Sequence, residues 1–254
     1  MKKAIVLNPH NDDGIIGIGG TLIQLLEKDW KIMYIQMTDG RHGSNKISPF
    51  KLKEIRAKES KKEREFLGID RFYSFDIEDG TLGKLDKKSK RDITKKLVKL
   101  IEDYKPNIIF SPGKAEAHID HRITYLLARK AIEKASINPL EIYYLVWFFP
   151  FLKQDSDSIE KVLIIPIENC FTRKIEGIKI HTSQKQGERR IRLVEVLNTY
   201  FSLLYQSREK IYDKCEIIGI YKINKNYKLF IKDLEGVKDV TKIFHGRKSK
   251  KINT

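Results

Sequence analysis

Apolar positions in the first 147 residues switch repeatedly between a period of two and a period near 3.6. Lys3 to Leu7 is a short apolar run closed by Pro9-His10, which predicts a strand. Over 14–28, Ile15, Ile18, Leu22, Leu25 and Leu26 recur at the spacing of one helix face. Lys31 to Met37 predicts a second strand, and Asp39-Gly40 the turn after it. Residues 49–67 carry charge on most faces, with Leu52, Ile55, Phe66 and Leu67 apolar, which predicts an exposed helix stopping near Gly68. Arg71 to Phe75 reads as a third strand. Ile93, Leu97, Leu100, Ile101 and Tyr104 form a helical stripe that ends before Pro106. Asn107 to Phe110, 119–134 and Glu141 to Trp147 then predict strand, helix and strand. Such an alternation points to a Rossmann-like, three-layer α/β fold around a doubly wound, mostly parallel sheet.

The remainder is less regular. Lys161 to Ile167 predicts a strand and 187–205 a helix. Glu216 to Ile223 and Tyr227 to Ile231, around Asn224-Lys225-Asn226, predict a C-terminal β-hairpin extension. No linker-like stretch divides the chain, so a single domain over 1–254 is expected, with a basic, mobile tail at 246–254.

Composition narrows the class. The chain has 254 residues and an apolar fraction of 41%, enough for a large core. Only four apolar residues, Ala4 to Leu7, follow the first lysines, too few for a secretory h-region. The longest clear apolar run, Tyr143 to Phe149, is far shorter than the ~20 residues of a membrane span. A cytoplasmic protein is expected. Cys170 and Cys215 lie far apart and suit free thiols in a reducing compartment. Net charge is +16, but lysines outnumber arginines 37 to 13. Nucleic-acid recognition leans on the arginine fork, so solvated lysine surface is the favoured reading over a nucleic-acid partner. A homo-oligomer is compatible with the sequence.

Ligands of open α/β sheets bind beyond the carboxyl ends of the strands. Strand one is followed by His10-Asn11-Asp12-Asp13, and strand four, after a short loop, by His118-Ile119-Asp120-His121. Two His/Asp clusters are thereby placed at one sheet edge, on strands that such folds set side by side. His10 and Asp13 are three apart across a turn, and His118 and His121 three apart on a nascent helix. Either pair can reach one ion. Taken singly, Asp13 is equally well read as a helix cap and His121 as a surface histidine; the coincidence of the clusters favours a metal. Gly17, Gly19 and Gly20 lack the spacing of a dinucleotide loop and suit close helix–sheet packing. His181 reads as structural.

These residues resemble a family. PHNDDGIIGIGGTL resembles the P-H-P-D-D-E…GG signature of LmbE/PIG-L deacetylases, and AHIDHR their A-H-P-D-H-R. TDGRHG at 38–43, RAKESKKEREFLGI at 56–69, KIHTSQ at 179–184 and CEIIGIYK at 215–222 are similar, in order, to later family motifs. The resemblance implies a zinc-dependent hydrolase, one Zn2+ per chain, that removes an acetyl group from a small-molecule N-acetylated amino sugar. It implies metal ligation by His10, Asp13 and His121, and Asp12 as general base. It further implies His118 as the group polarising the carbonyl and Asp120 as a residue orienting a neighbouring histidine. Arg56 matches a helix arginine of the sugar site; Arg41 and His42, on the loop after strand two, are candidates for substrate contact. Asn11 stands where the family has Pro and Gly14 where it has Glu, which bears on substrate identity and removes no ligand. The same residues also fit two other readings: metal-dependent phosphoester hydrolysis, which needs further carboxylate ligands, and a non-catalytic basic protein binding sugar or nucleic acid. Loops 42–51, 76–86 and 148–158 are expected to set the substrate.

Overall fold

In the computed structural model of the chain, strand β1 (Lys3–Asn8) lies inside an eight-stranded sheet. Its side chains alternate between the two faces, as strand geometry requires. Ala4 and Val6 pack with Ile15, Ile18 and Leu22 of helix α1 (Asp13–Glu27) and with Ile175 and Ile178 of α5 (Glu168–Lys179). Ile5 and Leu7 face Leu97 and Ile101 of α3 (Lys87–Tyr104) and Leu127 and Ala128 of α4 (Ile119–Lys134). The sheet is thus covered on both faces, giving the three layers expected from the alternating pattern. The structure describes all residues except 70, 147–158, 185–186, 206–210 and 243–254. The basic tail and the loop 148–158 lie outside the described residues.

The strand order is β3-β2-β1-β4-β5-β7-β6-β8. β2 (Lys31–Thr38), β3 (Arg71–Ile77), β4 (Ile108–Pro112) and β5 (Leu140–Tyr144) run parallel to β1. β6 (Lys161–Pro166), β7 (Cys215–Ile220) and the short β8 (Lys238–Asp239) complete the antiparallel edge. Chain direction across the sheet reverses between β1 and β4, the switch point where such sheets open a crevice. The remaining helices are α2 (Pro49–Leu67), α6 (Gly187–Leu203) and α7 (Asn226–Lys232).

The expected C-terminal hairpin is not formed. Its first half is β7, buried between β5 and β6, and its second half is helix α7. Asn224 decides the difference: its side-chain oxygen accepts from the Asn226 backbone N–H at 2.9 Å, starting a helical turn where a hairpin loop was expected. Phe230, fully buried, anchors α7 to the core.

Two further expectations hold. A Cβ on Gly17 would stand 2.6 Å from Tyr144 and 2.9 Å from the Leu145 carbonyl, so this glycine permits α1 to lie close on the sheet. Cys170 and Cys215 are buried free thiols. Among the described residues, no helix is long and apolar enough to cross a membrane.

Candidate active site

The turn after β1 and the start of α4 meet at the switch point. Three side-chain atoms converge there. Asp13 Oδ2 lies 3.1 Å from His10 Nδ1 and 3.2 Å from His121 Nε2, and the two histidine nitrogens are 3.3 Å apart. Donors bound at about 2.0–2.1 Å around a tetrahedral zinc stand about 3.3–3.4 Å from one another. The triangle therefore has nearly the edge length of one face of a zinc tetrahedron, and its nitrogen and oxygen donors suit that metal. Asp13 does not cap α1; its Oδ2 accepts from the His10 backbone N–H at 2.8 Å, which ties the turn to the cluster.

Charge at the triangle points the same way. Burial opposes protonation of His10, yet the Asp13 charge and contacts to Asp120 and Asp79 hold its pKa well above the usual value. Burial likewise opposes the charged form of His121, but Asp13 and Glu116 raise it to about 9. Against burial, His121 and His10 depress Asp13 well below the carboxylate range. The pocket draws positive charge to one point, where protons and a cation compete.

Each histidine at the triangle has a carboxylate behind it. His10 Nε2 lies 3.0 Å from Asp79 Oδ1 and 3.5 Å from Asp120 Oδ2. His121 Nδ1 is 3.2 Å from Glu116 Oε2, off the ideal hydrogen-bond line. Outer carboxylates of this kind fix ring orientation and tautomer at metal sites. Neither Asp79 nor Glu116 was identified from the sequence. Asp120, expected to orient a histidine, lies 3.5 Å from His10 Nε2 and also accepts from the Gly80 N–H at 2.6 Å and the Leu82 N–H at 3.2 Å. It thereby pins the loop that carries Asp79, and Asp79 makes the closer contact with His10.

His118 stands beside the triangle. Its ring centroid is 4.7 Å from that of His10 and 5.5 Å from that of His121. Wider groupings that include it, with His10 and His121 or with His10, Asp79 and Asp120, span up to 4.8 Å. The tighter triangle through Asp13 is the better cage. His118 Nδ1 accepts from the Asp120 N–H at 3.2 Å at the start of α4, so Nε2 is left to carry the proton. Burial and the charges of His10 and His121 lower its pKa, favouring the neutral ring.

Asp12 sits on the other side, fully enclosed. Arg56 Nη2 donates to its Oδ1 at 2.8 Å, and Arg190 Nη1 lies 2.5 Å from its Oδ2. Burial would raise its pKa, but Arg190 and Arg56 bring it down to about 2. Arg56, expected at the sugar site, is buried beneath Asp12, and its Nη1 also donates to the Gly40 carbonyl at 3.2 Å. Gly40 has a φ of 69°, and a Cβ there would meet Arg56 Nη1 at 2.7 Å, so the Asp39-Gly40 turn needs glycine on both counts. Arg190 was not identified from the sequence. Arg41 pairs with Asp39 at 2.5 Å, and the exposed His42 with Glu78 at 2.8 Å; both lie at the rim. His181 is buried, 2.6 Å from Glu63, while Thr182 and Ser183 bind Glu59, so the HTSQ segment is fastened to α2.

Known proteins resemble this chain in sequence and in fold. Residues 5–132 match the family model PIG-L, GlcNAc-PI de-N-acetylase. A diacetylchitobiose deacetylase from Thermococcus kodakarensis is 30% identical over 198 residues, covering 72% of this chain and 70% of that protein. Among solved structures, N,N'-diacetylchitobiose deacetylase from Pyrococcus horikoshii superposes with a TM-score of 0.72 at 22% identity, over 90% of this chain and 88% of the other. The same fold appears in GalB, the 4-carboxy-2-hydroxymuconate hydratase of Pseudomonas putida, with a TM-score of 0.68 at 17% identity, over 89% and 98% of the two chains. Fold alone therefore does not fix the chemistry.

Proposed function

The chain belongs to the PIG-L, GlcNAc-PI de-N-acetylase, family, and on that premise we propose that it removes the acetyl group from an N-acetylglucosamine-containing sugar or conjugate. Water is consumed; acetate and a free amino sugar are produced. The observation that carries this reading is the triangle of His10 Nδ1, Asp13 Oδ2 and His121 Nε2, with 3.1–3.3 Å edges.

His10, Asp13 and His121 would hold the metal, taken as one zinc per chain. When bound, zinc supplies Lewis-acid polarisation of the amide oxygen and eases deprotonation of water. The chain's own residues do the rest. Asp12 takes a proton from the attacking water, its carboxylate kept ionised by Arg56 and Arg190. His118 donates from Nε2 to the oxygen on which negative charge develops, which a neutral ring with Nδ1 already occupied is arranged to do. The leaving amine must gain a proton as the C–N bond breaks, and the proton now held by Asp12 is the nearest source. Asp79, Asp120 and Glu116 hold the histidines in place. Arg41 and His42, at the rim, are read as substrate contacts, and the reducing cytoplasm as the location that suits the two free thiols.

The phosphoester reading finds its extra carboxylates in Asp79 and Asp120. Both are committed, the first to His10 and the second to backbone N–H groups, so neither is free to bridge a second ion. A direct experiment strips metal with a chelator, restores zinc, and measures acetate released from N-acetylglucosamine and diacetylchitobiose. Activity that returns with zinc and is lost in His10→Ala, Asp13→Ala and His121→Ala is expected. Acetate release that survives chelation, or zinc that stays bound in all three variants, would overturn the metal assignment.

A further inference from the structure

From the outer face of α6, we infer that the chain pairs with a second copy of itself, α6 against α6, antiparallel about a two-fold axis near Asn198. The inference is independent of the deacetylase reading.

The inner face of α6 already meets the core. Val194 is buried there, and Asn198 donates to the Cys215 carbonyl at 2.8 Å. The outer face is apolar nonetheless. Leu193, Val196, Tyr200 and Leu203 are 41%, 63%, 37% and 68% exposed, four of the ten large apolar side chains exposed among the described residues. Single exposures scattered over a surface are ordinary, whereas a contiguous set marks a contact surface. The other long surface helices turn lysines outward, Lys61 and Lys62 on α2 and Lys95 and Lys99 on α3.

The spacing of these residues selects the occupant. Steps of three, four and three residues keep the four side chains within about 80° of arc around the helix. So narrow a seam is the repeat by which one helix meets another, and a helix lying in a lipid surface shows a broader apolar face. The seam is also complementary to itself. Antiparallel pairing sets Leu193 opposite Leu203 of the second copy and Val196 opposite its Tyr200, and the two-fold repeats both layers. The Tyr200 ring also contacts Phe201, at 5.9 Å between centroids, so Leu193, Val196 and Leu203 carry the seam. Charge fixes the direction. Arg189 and Arg192 stand near the start of α6 (Gly187–Leu203), and a parallel pair would set them against their own copies. Antiparallel, they lie beside the last turn of the partner helix, whose carbonyls carry partial negative charge. Leu193 and Val196 further flank an open groove of about 1120 Å3 between α6 and residues 42–46, which offers Leu203 of the second copy a seat.

One helix pair buries less than the standard interface of about 1,600 Å2, so a reversible dimer is expected. Sedimentation equilibrium of the full chain from about 5 to about 300 µM should reach twice the chain mass at the upper end. Val196→Glu/Leu203→Glu, with the parent's circular dichroism, should weaken association by about 100-fold or more, because each carboxylate would be buried without a partner. Register is read by cross-linking. On oxidation, Leu193→Cys/Leu203→Cys should join position 193 of one copy to position 203 of the other. Leu193→Cys alone should not join to itself, its two copies being about 15 Å apart along the axis. The cross-links decide the case should the glutamate variant fail to fold. A parent that stays monomeric throughout overturns the proposal, as does association that the glutamate variant leaves unchanged, or self-linking of Leu193→Cys. If the parent forms a larger assembly, the same variant must break it; an assembly that survives overturns the pairing. A monomeric parent that sediments with phosphatidylcholine–phosphatidylserine vesicles, and a variant that does not, would give this face to a lipid surface and overturn it as well.

Discussion

Arg190 Nη1 stands 2.5 Å from Asp12 Oδ2, on the oxygen opposite the one that Arg56 holds at 2.8 Å. The carboxylate proposed as general base is thus gripped from both sides by residues of two different helices. Asp12→Asn keeps the shape and loses both the charge and the ability to take a proton. It should retain its metal and lose about 10²–10⁴ in kcat, the range for a positioned acid–base group. Metal content and steady-state rates measured on one preparation check both halves. A variant that turns over at the parent rate would remove Asp12 from the mechanism.

His118 should behave differently from the three ligands. It lies beside the triangle, so His118→Ala should keep the metal and slow turnover by about 10²–10³, the cost of one lost oxyanion donor. Loss of the metal in this variant would make His118 a ligand and redefine the cage.

Asp79 should matter to the metal without touching it. Its Oδ1 lies 3.0 Å from His10 Nε2, the nitrogen facing away from the triangle. Asp79→Ala should weaken zinc binding by about 10–100-fold. Competition with a chromophoric chelator measures this. Affinity equal to the parent would show that Asp120, at 3.5 Å, suffices alone.

Asp79 also shows where sequence reasoning runs out. His10, Asp13, His118 and His121 were legible because short motifs sit at strand ends, where the fold itself predicts a crevice. Strands β1, β2, β4 and β5 were legible because parallel, buried strands read as near-continuous apolar runs, and the edge strand β3 by its aromatic residues Phe72, Tyr73 and Phe75. Asp79 and Glu116 are single acids in loops, made part of the site by packing 69 residues from His10 in the first case. Arg190 is one of several basic residues on a helix that nothing local ties to Asp12. The C-terminal hairpin failed for a related reason: Tyr227 to Ile231 alternates well enough for a strand, and only the Asn224 contact and the burial of Phe230 select a helix.

The His181–Glu63 pair should give the protein a pH-dependent stability of definite sign. Burial opposes the charged form of His181, but Glu63 raises its pKa above the usual value. Burial also raises Glu63, against the pull of His181. Both groups therefore hold a proton more tightly folded than unfolded. Their contribution is present below the unfolded values, about 4.3 for Glu and about 6.5 for His, and is lost as pH rises through each folded value. Denaturant unfolding of the parent and of Glu63→Gln/His181→Gln at saturating zinc, from about pH 4 to 9, measures it. The parent's stability should fall relative to the double variant as pH rises. A difference that is flat or grows with pH would contradict the assignment.

Lys174 and Glu216 form a buried pair far from the crevice, and their cost of removal should be unequal. Both side chains are fully inaccessible, with Lys174 Nζ 2.8 Å from Glu216 Oε1 and 3.0 Å from Asn198 Oδ1. Helix α1 is kinked at Ile18, whose φ is −137°. Past the kink, Glu216 accepts from the backbone N–H groups of Gly20 and Thr21, each at 2.8 Å, and from the Thr21 hydroxyl at 2.6 Å. The glutamate thus serves two masters, the broken helix and the buried ammonium. Glu216→Gln turns an acceptor into a donor facing an N–H and strands the Lys174 charge, which should cost about 3–5 kcal/mol. Lys174→Met leaves the carboxylate three good donors and should cost less, about 1.5–3 kcal/mol for a lost bond to a charged group. The double variant should fall short of the sum, because the stranded charge is gone once both are replaced. Denaturant titrations of the three variants give the coupling. Strict additivity, or a Glu216→Gln loss below about 1 kcal/mol, would mean that the kink is held by packing against Tyr144 and Ile167 rather than by this carboxylate.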